Sequence, residues 1–192
     1  MDILSIDKET VINTYKQGSK KEKKVLELLF GVETFRPKNV MERVKTFEDA
    51  CRELGKDHPF VLAYQNTNLR APEVADDNKD VIAYLKLRII AAALNEGWKP
   101  KFVKGEFRYF PYFYLCSDED ISRMAEDEKP RVVYRPNYGA YENGGMAYEI
   151  AKDGSASFFA TFMPLLVFKT SELAEYAGKQ FVYLYADYLL KA

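Results

Sequence analysis

The chain has 192 residues, of which 47% are hydrophobic and 30% charged, which is typical of a folded globular protein and excludes wholesale disorder. Its formal net charge of -1 provides no overall attraction for nucleic acid or anionic lipid, and no apolar run approaches the ~18 residues of a membrane span. We expect one domain over residues 1–192, with a helical part over about 1–98 and a sheet with its closing helix over about 99–192.

The first third of the chain predicts three short helices. The first lies in "DKETVINTYKQG" and stops at its final glycine. The second starts at Ser19 and Glu22, whose S-x-x-E spacing lets a hydroxyl and a carboxylate each accept a backbone amide, and Gly31 ends it. Its apolar stripe consists of Val25, Leu26, Leu28 and Leu29. The third helix lies in "TFEDACRELGK".

A polar segment separates these helices from a fourth, more apolar one. Residues 65–78 contain a proline, so we expect a loop there, and it is the best candidate for a mobile segment. The stretch "KDVIAYLKLRIIAAALNEGW" then places apolar residues around much of a helix, with Gly97 as its stop. A helix with so little polar surface is expected to be mostly buried.

The period changes to two in "EFRYFPYFYLC", which predicts a strand. Its odd positions are nearly all apolar and are expected to face the core: Phe107, Tyr109, Pro111, Phe113 and Leu115. Its even positions mix charge with phenol: Glu106, Arg108, Phe110, Tyr112, Tyr114 and Cys116. Because Pro111 cannot donate a ladder hydrogen bond, the strand is expected at a sheet edge or bulged there.

The last third predicts a short acidic helix, further strands and a long closing helix. The acidic helix is capped by Ser117 with Asp120 three residues on. Strands are expected near 131–135, 146–151 and 156–168, with turns at Asn143-Gly144-Gly145 and Asp153-Gly154. One amphipathic helix, "SELAEYAGKQFVYLYADYLLK", should pack on the sheet. Helices followed by a mostly antiparallel sheet and a closing helix indicate an α+β domain.

Recognised catalytic patterns are missing from the sequence, so we expect no enzyme and no cofactor. His58 is the single histidine and precedes a proline, which is typical of an exposed turn. The stretch "DDNKD" lacks the glycine and the closing glutamate of a calcium loop, and it suits helix capping better. The two cysteines have no neighbouring ligand, so we expect reduced, buried thiols in the cytoplasm and no metal site.

A carboxylate-dependent enzyme stays as the third hypothesis. Its acids would come from the acidic helix and the segment after it: Asp118, Asp120 and Glu126. A charged run of this kind is more often a solvated helix face, and spacing along one chain cannot show that two carboxyls meet.

The even positions of the aromatic strand are the candidate binding surface: Arg108, Phe110, Tyr112 and Tyr114, with Tyr183 of the closing helix. Three interpretations stay open. The closing helix could cover this face, since phenols suit surfaces with one packed and one wet edge. A protein partner or a second copy could bind it. Nucleotides or unpaired bases could also stack on Arg108, Tyr112 and Tyr114, although the near-neutral charge favours protein over nucleic acid.

Long segments of the chain resemble a family of uncharacterised proteins encoded by bacteriophages and prophages of gut anaerobes. They are "KTFEDACRELG", "LKLRIIAAALNEGWKPKF", "FRYFPYFYL" and "LVFKTSELAEYAGKQFVYLYADYLL", and they cover most of the chain. The resemblance implies a phage product of the host cytoplasm or a virion component, with no activity to transfer. Family members often have Gly-Ser-Arg before the final "FK", where this chain has Pro164, Leu165 and Leu166.

These observations together predict a non-catalytic phage-type protein that acts by binding or assembly through the aromatic sheet face. A protein partner or self-association is expected, and a membrane is not.

Overall fold

The computed structural model describes residues 5–101, 105–134, 144–155 and 166–190. These residues form α-helices and an antiparallel sheet with helices packed on it, so the predicted α+β class is confirmed. The chain divides into two compact units, Met1–Arg43 and Val44–Ala192. The expectation of one domain over residues 1–192 stays a prediction. The helix predicted to be mostly buried belongs to the same unit as the sheet, so the division does not fall near residue 98.

The first unit is helical, and its helix ends follow the predicted capping residues. It contains α1 (Lys8–Gln17), α2 (Lys20–Phe30), a 3₁₀ turn (Val32–Phe35) and α3 (Val40–Arg43). The Ser19 amide donates to Glu22 Oε2 over 2.6 Å, and the Glu22 amide donates back to Ser19 Oγ. Gly31 ends α2 with a φ of 80°, a conformation that strongly favours glycine. Both predicted helices are therefore confirmed.

The apolar stripe predicted on α2 is exposed for the most part. Within this unit α2 contacts its neighbours through another flank, where Tyr15 Oη donates to Glu27 Oε1 over 2.5 Å. The ring of Tyr15 also stacks on Phe35, with centroids 4.1 Å apart. The exposed stripe residues are Val25, Leu28 and Leu29.

The second unit starts with three helices. One of these helices and a 3₁₀ turn were not predicted from the sequence. It contains α4 (Phe47–Leu54), α5 (Pro59–Gln65), a 3₁₀ turn (Asn68–Arg70) and α6 (Lys79–Leu94). The helix α5 was not predicted, although Pro59 occupies the first helical position that proline prefers. The segment predicted as a loop holds the 3₁₀ turn and further turns.

Helix α6 is the central helix of the second unit and packs against α4 and α5. Its buried side chains are Ala83, Leu87, Ile89, Ile90, Ala91, Ala93 and Leu94. The predicted burial is thus confirmed for most of the helix. Asn95 follows its last turn and is itself buried. Gly97, with a φ of 85°, turns the chain away as predicted.

The described sheet has three antiparallel strands in the order β1-β3-β2. They are β1 (Phe107–Ser117), β2 (Val133–Tyr134) and β3 (Gly144–Ser155), and α7 (Asp118–Arg123) follows β1 with the predicted Ser117 capping box. Within the described part of the sheet β1 is an edge strand, as Pro111 predicted. Its outer side carries one isolated bridge, between Tyr109 and Phe168.

The predicted turns flanking the middle strand are wrong where the structure describes them. Asp153 and Gly154 continue β3 and pair with Tyr109 and Arg108, because β1 is long enough to extend the ladder past them. Gly144 and Gly145 belong to the strand as well, and a Cβ on Gly145 would overlap the Cγ1 of Val132. Asn143 and the strand predicted near 156–168, up to residue 165, lie outside the described residues.

The closing helix is two helices, α8 (Ser171–Gln180) and α9 (Val182–Leu189), so the prediction of one continuous helix is wrong. The break lies at Phe181, which has φ -116° and ψ 26°. Helix α8 packs mainly on β1 and β3, and α9 packs mainly on α6, so the two parts of the apolar stripe have different main neighbours.

Candidate binding face

The strand register assigns each sheet residue to one of two faces, because directly opposed residues in a ladder point to the same side. Tyr112 pairs with Ile150 and Phe110 pairs with Lys152. Tyr114 lies on the same side, two residues further along β1. We call these five residues the even face: Phe110, Tyr112, Tyr114, Ile150 and Lys152. Between Tyr112 and its neighbour the register shifts, which leaves Glu149 as the extra residue of a bulge in β3.

The closing helices lie on the opposite side of the sheet. A Cβ built on Gly178 of α8 would stand 2.7 Å from Pro111 Cβ and 2.5 Å from Tyr148 Cδ2. Phe113 contacts Tyr185 of α9, with ring centroids 4.9 Å apart. All of these sheet residues belong to the odd side of β1 or pair with it. The interpretation in which the closing helix covers the even face is therefore wrong.

The odd side is core only in its middle, so the prediction of a wholly buried odd face is wrong at both ends. Phe107 and Leu115 are about half exposed, while the even-numbered Cys116 is fully buried. The reason is that α8 covers the strand around Pro111, whereas α7 and the segment before β2 cover the even side at its far end. Cys116 packs there with Ile121, Val132 and Ala147.

The middle of the even face is open to solvent. Tyr112 is 41% exposed, Tyr114 38% and Ile150 50%, and Phe110 is half-buried beside them. The ammonium of Lys152 lies 3.2 Å from the centroid of the Tyr112 ring, a cation–π contact. An aromatic row of this kind, with one apolar neighbour and a cation over one ring, is typical of residues that anchor protein interfaces.

Tyr114 marks the end of the even face that is nearest to acidic side chains. Its hydroxyl lies 3.7 Å from the sulfur of Met124, in the segment after α7. Partial burial, with smaller effects of the nearby Cys116, Glu128, Asp120 and Glu149, raises the pKa of its phenol. The phenol therefore stays protonated at neutral pH and donates to the Met124 sulfur.

Arg108 is buried beneath the end of the sheet, with only 7% of its surface exposed. Its guanidinium Nη2 donates to the carbonyl oxygen of Lys101, and its Nε lies 3.8 Å from Glu106 Oε1. Glu106 in turn accepts from the Lys101 amide over 2.7 Å. The guanidinium of Arg108 is thus engaged by Lys101 and Glu106 and is not exposed beside the tyrosines.

Tyr183 lines a groove of about 800 Å³ between β3 and the closing helices, and Ile150 of the even face lines the same groove. Tyr183 is 63% exposed. Glu175 and Lys179 of α8 also line the groove and form an ion pair of 2.5 Å. Of the five residues predicted for the binding surface, the structure sets Phe110, Tyr112 and Tyr114 side by side on β1. Arg108 lies on the same strand but is buried, and Tyr183 belongs to the groove that Ile150 also lines.

Two members of the even face were not predicted. Ile150 and Lys152 come from β3, and sequence alone does not give the register that sets them beside Tyr112. Lys152 also precedes a predicted turn, and the strand predicted near 146–151 ends four residues before the end of β3 at Ser155. The only signal for them was the alternation in the stretch before Asp153.

The predicted acids take part in local hydrogen bonds and ion pairs. Asp120 accepts from both the amide and the hydroxyl of Ser117, and these bonds lower the pKa of its carboxyl. Glu126 pairs with Lys129 over 2.5 Å, and Asp118 is exposed. His58 accepts the Phe60 amide on its Nδ1 as the cap of α5. In the part of the chain that the structure describes, no group of three His, Cys, Asp or Glu side chains could hold a metal ion.

No family model, no curated protein and no solved structure matches this chain. Among the described helices, none combines the length and the hydrophobicity needed to cross a bilayer.

Proposed function

We propose that this chain is a non-catalytic protein of the phage or prophage type that binds a protein, either a partner or another copy of itself, through the even face. The single observation that carries the proposal is the exposure of Tyr112, Tyr114 and Ile150 on a sheet whose closing helices pack on the other side. The phage or prophage origin, in the host cytoplasm or in a virion, rests on the resemblance of the quoted segments.

Protein is favoured over nucleotide as the ligand by the position of Arg108. Nucleotide stacking on Arg108, Tyr112 and Tyr114 would need the guanidinium beside the rings, and this guanidinium is buried and bonded to the Lys101 carbonyl. Lys152 already lies over the Tyr112 ring, where a base would stack. A carboxylate-dependent reaction is not favoured, since Asp120 and Glu126 are engaged in their own caps and ion pairs.

Hydroxyl-radical footprinting of tyrosines tests the proposal. Purified protein is oxidised when dilute, when concentrated, and when dilute in a bacterial extract, and Tyr183 serves as the exposed reference. We expect Tyr112 and Tyr114 to be protected in the concentrated sample or in the extract, while oxidation of Tyr183 is unchanged. The Tyr112→Ser variant should lose the protection of Tyr114, because the contact depends on both rings.

Equal oxidation of Tyr112 and Tyr114 under all three conditions would contradict the proposal. Protection by a nucleotide or a short single strand, accompanied by a rise in melting temperature, would instead support the stacking interpretation.

A further inference from the structure

The even face carries opposite charges at its two ends. Lys152 lies at one end, paired with Phe110 and reaching over the Tyr112 ring. At the other end the Tyr114 hydroxyl contacts the sulfur of Met124, and the carboxylate of Glu128 accepts the amide of the next residue, Ala125, over 3.2 Å. Between these ends lie aromatic and aliphatic groups, with the Ile150 side chain half exposed, and Glu149 at the bulge of β3. The face is therefore a short apolar strip with a positive and a negative end.

A strip of this kind is complementary to itself. In a two-fold contact the same surface is used by both copies, so residue i of one copy meets residue j of the other, and the reverse. If two even faces pack with their β1 strands antiparallel, each Lys152 approaches the acidic end of the other copy, near Glu128. The tyrosines and Ile150 then lie close to the two-fold axis, where water is excluded.

We propose that the partner of the even face is a second copy of this chain, in an antiparallel two-fold dimer. This inference rests on the proposed function, since it needs the even face to be a binding surface. It is favoured over a different partner because both complementary charges are present on the one face. A parallel arrangement would set Lys152 against Lys152 and acids against acids, which costs free energy.

The size of the face indicates a weak dimer. Stable interfaces bury about 1,200–2,000 Å² in total, and the even face offers five side chains, of which Phe110 is half-buried and Tyr112 and Tyr114 are well under half exposed. We therefore expect a dimer that forms only in concentrated solution. Its formation should be salt-dependent, because the two charge pairs at the rim are solvent-exposed and screened.

Sedimentation equilibrium on charge-swapped variants tests the inference. Samples of the full chain run from about 5 to about 500 μM, the range in which weak complexes of this size associate. Wild type should shift from the 22.2 kDa monomer toward twice that mass. Lys152→Glu and Glu128→Lys should each weaken self-association at least tenfold, because each homodimer would then contain two repulsive pairs. Mixing the two variants should restore it, since both pairs in the mixed dimer are again attractive.

The matched control is Lys56→Glu, the same charge change at an exposed position on a turn after α4. It should leave the association of wild type unchanged. Each variant is first checked by its melting curve, because Glu128 also accepts the Ala125 amide. Tyr112→Ser gives an independent readout in case a charge variant is unstable, and it should also weaken the dimer.

Three results would overturn the inference: a monomer at every concentration, association that survives both Lys152→Glu and Tyr112→Ser, or no recovery on mixing the charge variants. The second result would place self-association elsewhere, with the exposed leucines of α2 as the next surface to test. A monomer whose Tyr112 and Tyr114 are still protected in the extract would reject the second copy and leave the proposed function standing.

Discussion

A single buried side chain, Asn95, ties the end of α6 to a segment more than seventy residues later. Its Nδ2 donates to the Val167 carbonyl over 2.8 Å, and its Oδ1 accepts the Lys169 amide over 3.0 Å. Only 5% of Asn95 is exposed. The first bond is buried and the second partly buried, so the loss of the side chain would leave two backbone groups without these partners.

Asn95→Ala is expected to lower the free energy of unfolding by about 1–3 kcal/mol, since a carbonyl and an amide lose buried partners. Urea denaturation followed by circular dichroism measures it. Asn66→Ala, at an exposed helix end, should change stability by less than about 0.5 kcal/mol. Equal effects of the two substitutions would contradict the role assigned to Asn95.

The roles of residues with local hydrogen-bond partners could be predicted from the sequence. The roles of residues whose surroundings depend on the fold could not. Ser19 and Ser117 each cap a helix with an acid three residues on, and both boxes form as predicted. Arg108 was placed on the exposed face by alternation alone. Its burial depends on its contacts with Lys101 and Glu106, which no periodicity predicts.

At the scale of elements, α8 lies very close to the sheet. Gly178 lies where a β-carbon would be 2.5 Å from Tyr148 Cδ2 and 2.7 Å from Pro111 Cβ. Glycine costs a helix about 1 kcal/mol relative to alanine, so its presence here reflects the need for close packing. The helix rests directly on the two strands that carry the even face.

Gly178→Ala should therefore destabilise the protein by about 1–3 kcal/mol in spite of its better helix propensity, because the core around it has no room for a methyl group. Thermal unfolding by calorimetry measures the effect. In a Tyr148→Ala background the penalty should shrink, since both nearest ring atoms are removed. A stabilising Gly178→Ala would refute the close contact.

The element types followed from the sequence better than their junctions. Helical and two-residue periods identified α1, α2, α4, α6 and β1, whose residues mostly agree with the predictions. The break at Phe181 has no sequence signal of the proline or glycine kind, since it arises because α8 and α9 have different neighbours. The exposure of the even face could not be predicted either, because it depends on which side of the sheet α8 takes.

For the whole molecule, several tyrosines are held in the protonated state by folding. Burial, with a smaller effect of Glu175, raises the pKa of Tyr148 to about 12, and burial raises the pKa of Tyr185 as well. Tyr176 and Tyr188 have raised pKa values for the same first cause. In the unfolded chain these phenols ionise near pH 10.

Stability should fall steeply as the pH rises from about 10 to about 12, because over this range the unfolded chain loses phenolic protons that the folded chain keeps. Below about pH 10 this contribution is fully present. Urea midpoints measured across the range, with phenolate absorbance as the second signal, should show the decline. Tyr148→Phe should flatten it, and the exposed Tyr183→Phe is the matched control. A flat profile for wild type would contradict the raised values.

The hydrogen bonds of Asn95 also impose an order on the folding of the second unit. Helix α6 can form as soon as its own residues are synthesised, but its buried end acquires these partners only after the ribosome has added Val167 and Lys169. Until then the polar amide of Asn95, at the end of the central helix, must be hydrated by solvent. The nascent second unit thus has a complete central helix before it can have a closed interior.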